Sequence, residues 1–118
     1  MNFSQMQFSD SIAAIVKKLS KHNIFESATV GFAGVSSEQY KLYEKLSNTA
    51  SQNELIDLAT SNKNAVVRLY AVRALIKRNG ITPDIGKQFK NDESMVSTLY
   101  GCVGGKAMVK EIFMSLTN

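Results

Sequence analysis

The sequence predicts an all-α fold of about seven helices packed as antiparallel pairs. Three observations carry this. Between Ser51 and Gly80, the run SQNELIDLATSNKNAVVRLYAVRALIKRNG reads as two helices joined by a short Asn-rich turn. The second of these helices is apolar almost all the way round, so no side of it can face water and several neighbours must cover it. The β-favouring residues gather in one short stretch, 23–36, which has no second stretch to pair with.

The first helix runs from Ser4 or Ser9 to Lys21. Phe8, Ile12, Ile15, Val16 and Leu19 share one face, and Lys17, Lys18 and Lys21 lie opposite. Residues 23–36 read as a loop punctuated by Gly31 and Gly34, which packs Phe25, Val30 and Phe32 onto the helices. A second helix spans Ser37 to Asn48, with Ser36 and Gln39 at capping-box spacing and Leu42, Tyr43 and Leu46 as its stripe. Ser51 and Glu54 repeat that spacing at the start of a third helix, where Leu55, Leu58 and Ala59 share a face. The fourth, Asn64 to Asn79, is the predicted centre of the fold. Val67, Ala71, Ala74 and Leu75 cover one side, and Leu69, Val72 and Ile76 much of the other. Gly80 suits a left-handed cap at its end. Thr82-Pro83 opens a short fifth helix carrying Ile85 and Phe89. A sixth spans Glu93 to Val103. After Gly104-Gly105 the last presents Met108, Val109, Ile112, Phe113 and Leu116 in one stripe.

The runs ELIDLA (54–59), SNKN (61–64) and VVRLYAVRAL (66–75) resemble a HEAT repeat, the paired-helix unit of α-solenoids. The resemblance implies a short right-handed stack of helix pairs, with 1–118 as one domain. It also implies that Arg68, near the start of the second helix, pairs with an acid in a neighbouring turn. The preceding turn offers Asn62 and Asn64 and no aspartate. A fainter copy follows about 29 residues later, with Asp84–Lys90 as first helix and Met95-Val96 opening the second.

Composition narrows the function classes. The chain has 118 residues, 44% hydrophobic and 20% charged, which fits a globular domain and not a disordered one. No apolar run reaches the roughly 18 residues of a membrane span. The opening MNFSQMQFSDSIAAIVKK lacks the basic-then-apolar order of a signal peptide, so the cytoplasm is the expected compartment. Cys102 is the one cysteine and His22 the one histidine, which leaves metal clusters and His-based triads without members. Cys102 reads as a small buried apolar residue. Glu54/Asp57 and Asp92/Glu93 are explained by capping and solvation. GCVGGKA is not a phosphate loop. Tyr100 stands where the first glycine belongs, and Ala107 where the hydroxyl belongs. No cofactor or metal is implied.

The charge is uneven. Residues 1–60 carry five lysines against six acids, whereas 61–118 carry nine basic residues against four. A basic half with tyrosines on helices fits partner binding. The expected function is a non-enzymatic protein-binding helical-repeat module, of the kind an inhibitor, adaptor or immunity-type protein uses to neutralise a partner. The candidate contact residues are Tyr40, Tyr43, Lys63, Arg68, Arg73 and Lys77. The alternative is a nucleic-acid-binding protein using the basic stretch 63–90, which requires those groups to converge on one open face.

Overall fold

The computed structural model describes residues 9–31 and 35–118. Phe8, Phe32 and Gly34 lie outside the described residues. Along the chain come α1 (Asp10–His22), β1 (Ile24–Val30), β2 (Val35–Ser36), α2 (Glu38–Thr49) and α3 (Gln52–Ser61). They are followed by α4 (Ala65–Lys77), α5 (Pro83–Lys90), β3 (Met95–Gly101), β4 (Val103–Met108) and α6 (Val109–Thr117). The four strands form one mixed sheet in the order β2-β1-β3-β4. The chain is therefore mixed α/β, and the expectation of an all-α stack of repeated helix pairs is overturned.

The physical reason lies in two segments. A lone strand has nothing to bond to, which is why the sequence predicts a loop over IFESATV. Its partner is MVSTLYG, far along the chain, which pairs with it in parallel: Ile24 opposite Ser97, Phe25 opposite Thr98, Glu26 opposite Leu99. The expectation for that second segment is a helix, the second half of a faint repeat, and the structure overturns it. Its Val96, Thr98 and Tyr100 are better strand formers than helix formers, and Val96 and Thr98 alternate inward with Phe25. Gly101 and Cys102 then make a two-residue turn between the paired Tyr100 and Val103. Gly101 sits at φ +59° while Cys102 keeps a negative φ, the demand of a turn with glycine first. Cys102 is consequently exposed at a hairpin tip and not buried in a helix. The glycines after it lie in β4, opposite Thr98 and Leu99, and do not separate two helices.

The helical half follows local chemistry more closely. Ser51 and Glu54 form the expected reciprocal cap of α3. Thr82 caps α5 with Pro83 in its first turn. The cap of α2 is Ser37 and not Ser36, and Gln39 reaches away to the carbonyls of Leu19 and Ile24. At the end of α4 the left-handed residue is Asn79 (φ 56°), not Gly80. The Gly80 N–H then closes on the Leu75 carbonyl at 2.8 Å, and its bare Cα lets the Gln52 amide lie against it.

α4 is the centre of the molecule. Eight of its 13 residues are buried, and it touches α1, α2, α3, α6, β1 and β3. Its ends are tied across the fold. Arg68 Nη1 donates to the Asn62 carbonyl at 2.8 Å and Nη2 to Asp92 Oδ2 at 3.2 Å. Arg78 Nη2 donates to the Ser47 and Ala50 carbonyls at 2.6 and 2.8 Å, closing the end of α2.

Asp92 is held low against its own burial. Desolvation opposes its ionisation, but Ser94, through hydroxyl and backbone N–H, and then Arg68 outweigh it and keep the carboxyl below the usual range. A folded value below the unfolded one stabilises the fold above the ordinary carboxylate range, and that stabilisation disappears as pH falls through the folded value. Asp92→Asn should cost about 1–3 kcal/mol at neutral pH and should flatten the loss of stability on acidification. Urea unfolding at pH 7 and at stepped acidic pH measures both effects.

Candidate functional site

All four tyrosines of the chain collect around one arginine. Tyr40 and Tyr43 come from α2, Tyr70 and Arg73 from α4, and Tyr100 from β3. The Arg73 guanidinium lies 4.9 Å from the Tyr40 ring, 5.1 Å from Tyr43 and 5.9 Å from Phe25. The rings also stack on one another: Tyr40–Tyr43 at 5.3 Å, Tyr43–Tyr70 at 5.7 Å and Phe25–Tyr70 at 4.7 Å. A cation against aromatic faces gains about 0.5–2 kcal/mol, more as water is removed. Burial pushes the Tyr43 and Tyr100 phenols up, and the Arg73 charge beside them pulls the other way. Tyr100 is 44% exposed, and Val103, opposite it across the hairpin, is 67% exposed. The cluster therefore grades from a buried ring, Tyr70, through the half-buried Arg73 and Tyr40 to an open aromatic and aliphatic edge.

A buried carboxylate stands next to this cluster. Glu26 is 4% exposed. Its Oε1 accepts from Ser37 Oγ at 2.5 Å, and its Oε2 lies 2.9 Å from His22 Nε2. Ser, His and an acid in contact invite comparison with a nucleophilic triad, but the order is wrong. A relay needs the histidine between the serine and the acid. Here the carboxylate is in the middle, and Ser37 is fully buried while also capping α2. The arrangement clasps the end of α1, β1 and the start of α2 together. Tyr70 completes it, because its hydroxyl accepts the Glu26 backbone N–H at 2.7 Å, on a stretch of β1 where the sheet register is shifting.

Of the candidate contact residues, Tyr40, Tyr43 and Arg73 are brought together. Lys77 stands one turn beyond Arg73 on the same side of α4, exposed. Arg68 is taken up by Asp92 and Asn62. Lys63 lies at the opposite end of α4, in a cleft of ≈ 270 Å³ shared with Asn23, Asn64, Ser97 and Lys106. Lys87 and Lys90 line a separate groove of ≈ 980 Å³ between α5 and α6, over Phe113 and Met114. The basic stretch therefore does not form one face. Arg68, Arg73 and Arg78 are spaced by five residues, which turns each about 140° from the last around the helix. The residue that sequence reasoning left out of the site is Tyr100. Its only signal was Gly-Cys following an alternating β-favouring run, the mark of a hairpin that would carry the ring back over α4.

The Tyr70 phenol is pushed up by burial, so the fold favours its neutral form; that contribution is complete below the ordinary phenol range and is lost as pH climbs above about 10. Tyr70→Phe should leave the Glu26 N–H unpartnered at a cost of about 1–3 kcal/mol and remove part of the alkaline loss of stability. Denaturant unfolding at neutral and alkaline pH reads both. No helix among the described residues is long and apolar enough to cross a membrane, and no three His, Cys, Asp or Glu side chains among them gather as a metal site. Comparison with protein-family models and with curated proteins gives no match.

Proposed function

We propose that this protein is a non-enzymatic protein-binding module whose contact surface is centred on Arg73, Tyr40 and Tyr100, with Val103 at its margin. The observation that carries the reading is the state of Arg73. The other two arginines each collect two protein oxygens, whereas Arg73 is held by aromatic rings and makes no ion pair among the described residues. Arginine and tyrosine, partly desolvated and surrounded by apolar groups, are the side chains that dominate protein interfaces. The helix pair 54–77, which resembles a HEAT unit, supplies the rigid base on which Arg73 stands.

Such a surface supports an inhibitor or immunity-type role, in which binding neutralises the partner, with the cytoplasm as the compartment. Nucleic-acid binding is the weaker reading. It asks the basic stretch 63–90 to track a phosphate backbone, and those groups are spread over a cleft, an ion pair, a ring cluster and a groove. Capture from a native lysate with mass spectrometry should identify a specific protein partner. Tyr100→Ala, at a half-exposed position, should weaken that partner's binding by about tenfold or more while leaving thermal unfolding nearly unchanged. A partner held equally well by Tyr100→Ala and Arg73→Lys would place the interface elsewhere.

A further inference from the structure

We propose that Arg73 is the receptor for a carboxylate: an acidic side chain that a partner protein presents beside an apolar one. The proposal rests on the protein-binding reading and adds the chemistry of its central contact. Arg68 and Arg78 demonstrate what a guanidinium does in this molecule when oxygens are within reach. Each places its N–H groups on two of them at 2.6–3.2 Å. Arg73 has the same five donors, but among the described residues it meets ring faces and the Tyr43 hydroxyl and no carboxylate or carbonyl oxygen, so most of its donors stay open. It lies against both the Tyr40 and Tyr43 rings, at 4.9 and 5.1 Å, and packing on two rings reduces the side-chain freedom lost on binding.

A carboxylate fits this site better than a phosphate. The guanidinium fork matches two carboxylate oxygens side by side. A phosphate dianion is usually wrapped by several cations or by free backbone N–H groups at a helix start. Arg73 is in the interior of α4, where the backbone N–H groups are spent within the helix. One further cation, Lys77, stands a turn away, and no second arginine shares that side. The apolar half of the ligand has a place as well. Tyr100 and Val103 are exposed next to each other on the hairpin, on the strand pair that leads to the cluster. An acidic residue one or two positions from an aliphatic one meets both features.

The test uses the full chain, isotope-labelled, and three probes: the capped tetrapeptide acetyl-Leu-Glu-Val-Glu-amide, its Gln counterpart, and inorganic phosphate. The readouts are the Arg73 Nε–H signal and the ring signals of Tyr40 and Tyr100. The Glu peptide should move all three saturably, and the Gln peptide should bind at least about tenfold more weakly. Arg73→Lys should lose a similar factor, because an ammonium cannot form the paired contact, and Lys77→Gln should lose only about twofold. The Glu-versus-Gln comparison is made on the unaltered protein, so it stands even if an Arg73 variant folds poorly. Equal binding of the two peptides would overturn the proposal. So would phosphate saturating the same signals at lower concentration than the Glu peptide. If the Glu peptide fails while Tyr100→Ala still abolishes capture of a partner, the carboxylate falls and the binding surface stands. If both fail, the protein-binding reading falls with it.

Discussion

One helix without a water-facing side dictates this architecture. α4 carries Val66, Val67, Leu69, Tyr70, Ala71, Val72, Ala74 and Leu75 in the interior, and they point in every direction from its axis. Leaving any one of these faces open would expose several side chains, each of which gains about 1.5–3 kcal/mol by burial. The neighbours are therefore arranged as cover. α3 lies alongside, α1, α2 and α6 close other sides, and β1 and β3 close the rest. Three arginines, Arg68 and Arg73 within the helix and Arg78 at its C-terminal cap, each need an exit from an apolar surrounding. Two leave at the ends onto oxygens. The third, Arg73, leaves between aromatic rings, where its charge is tolerated with no ion pair among the described residues.

How far this was legible from the residues depends on the range of the interactions. Caps and stripes are local, so the α3 box at Ser51 and Glu54, the Thr82-Pro83 start and the Val109, Ile112 and Phe113 part of the α6 stripe could be read directly, whereas Met108, expected in that helix, ends β4. That α4 needed cover on all sides was equally plain from its pattern. What would cover it was not, because apolar periodicity records that a face is buried and says nothing about the partner. The sheet depends on bonds such as Gly101 N–H to Ser27 Oγ, across 74 positions, and no window of sequence contains both ends. IFESATV looks unpaired in any local window because its partner, MVSTLYG, lies four helices further along the chain.

The same division runs through the candidate site. Tyr40, Tyr43 and Arg73 were identifiable by type, because arginine and tyrosine on helices make good anchors. Their convergence follows from α2 packing on α4. Lys63, Arg68 and Lys77 looked equivalent to Arg73 in the sequence, and only packing separates them. Arg68 meets an acid from a turn 24 residues on, and Lys63 falls at the far end of the helix. Tyr100 joins the cluster because β3 is a strand; as a helix residue it would have pointed elsewhere. Glu26 was invisible as a buried acid, since its two side-chain partners, His22 and Ser37, flank β1 from opposite sides of the sequence.

The parallel pairing of β1 with β3 also sets an order of events during synthesis. β1 leaves the ribosome early, between two helices, with its edge toward β3 unbonded. Four helices must emerge before the strand it pairs with is made. Through that interval Ile24 and Phe25 lie next to an open row of backbone donors and acceptors, a combination that invites pairing with another nascent chain. Closing a loop of this length is slow compared with forming the α3–α4 hairpin, so that hairpin can form well before β1 meets β3, and α6 is made only after both strands. Slower translation of the 24–101 interval, or crowding of polysomes, therefore acts on this protein mainly through β1, the element that waits longest for its partner.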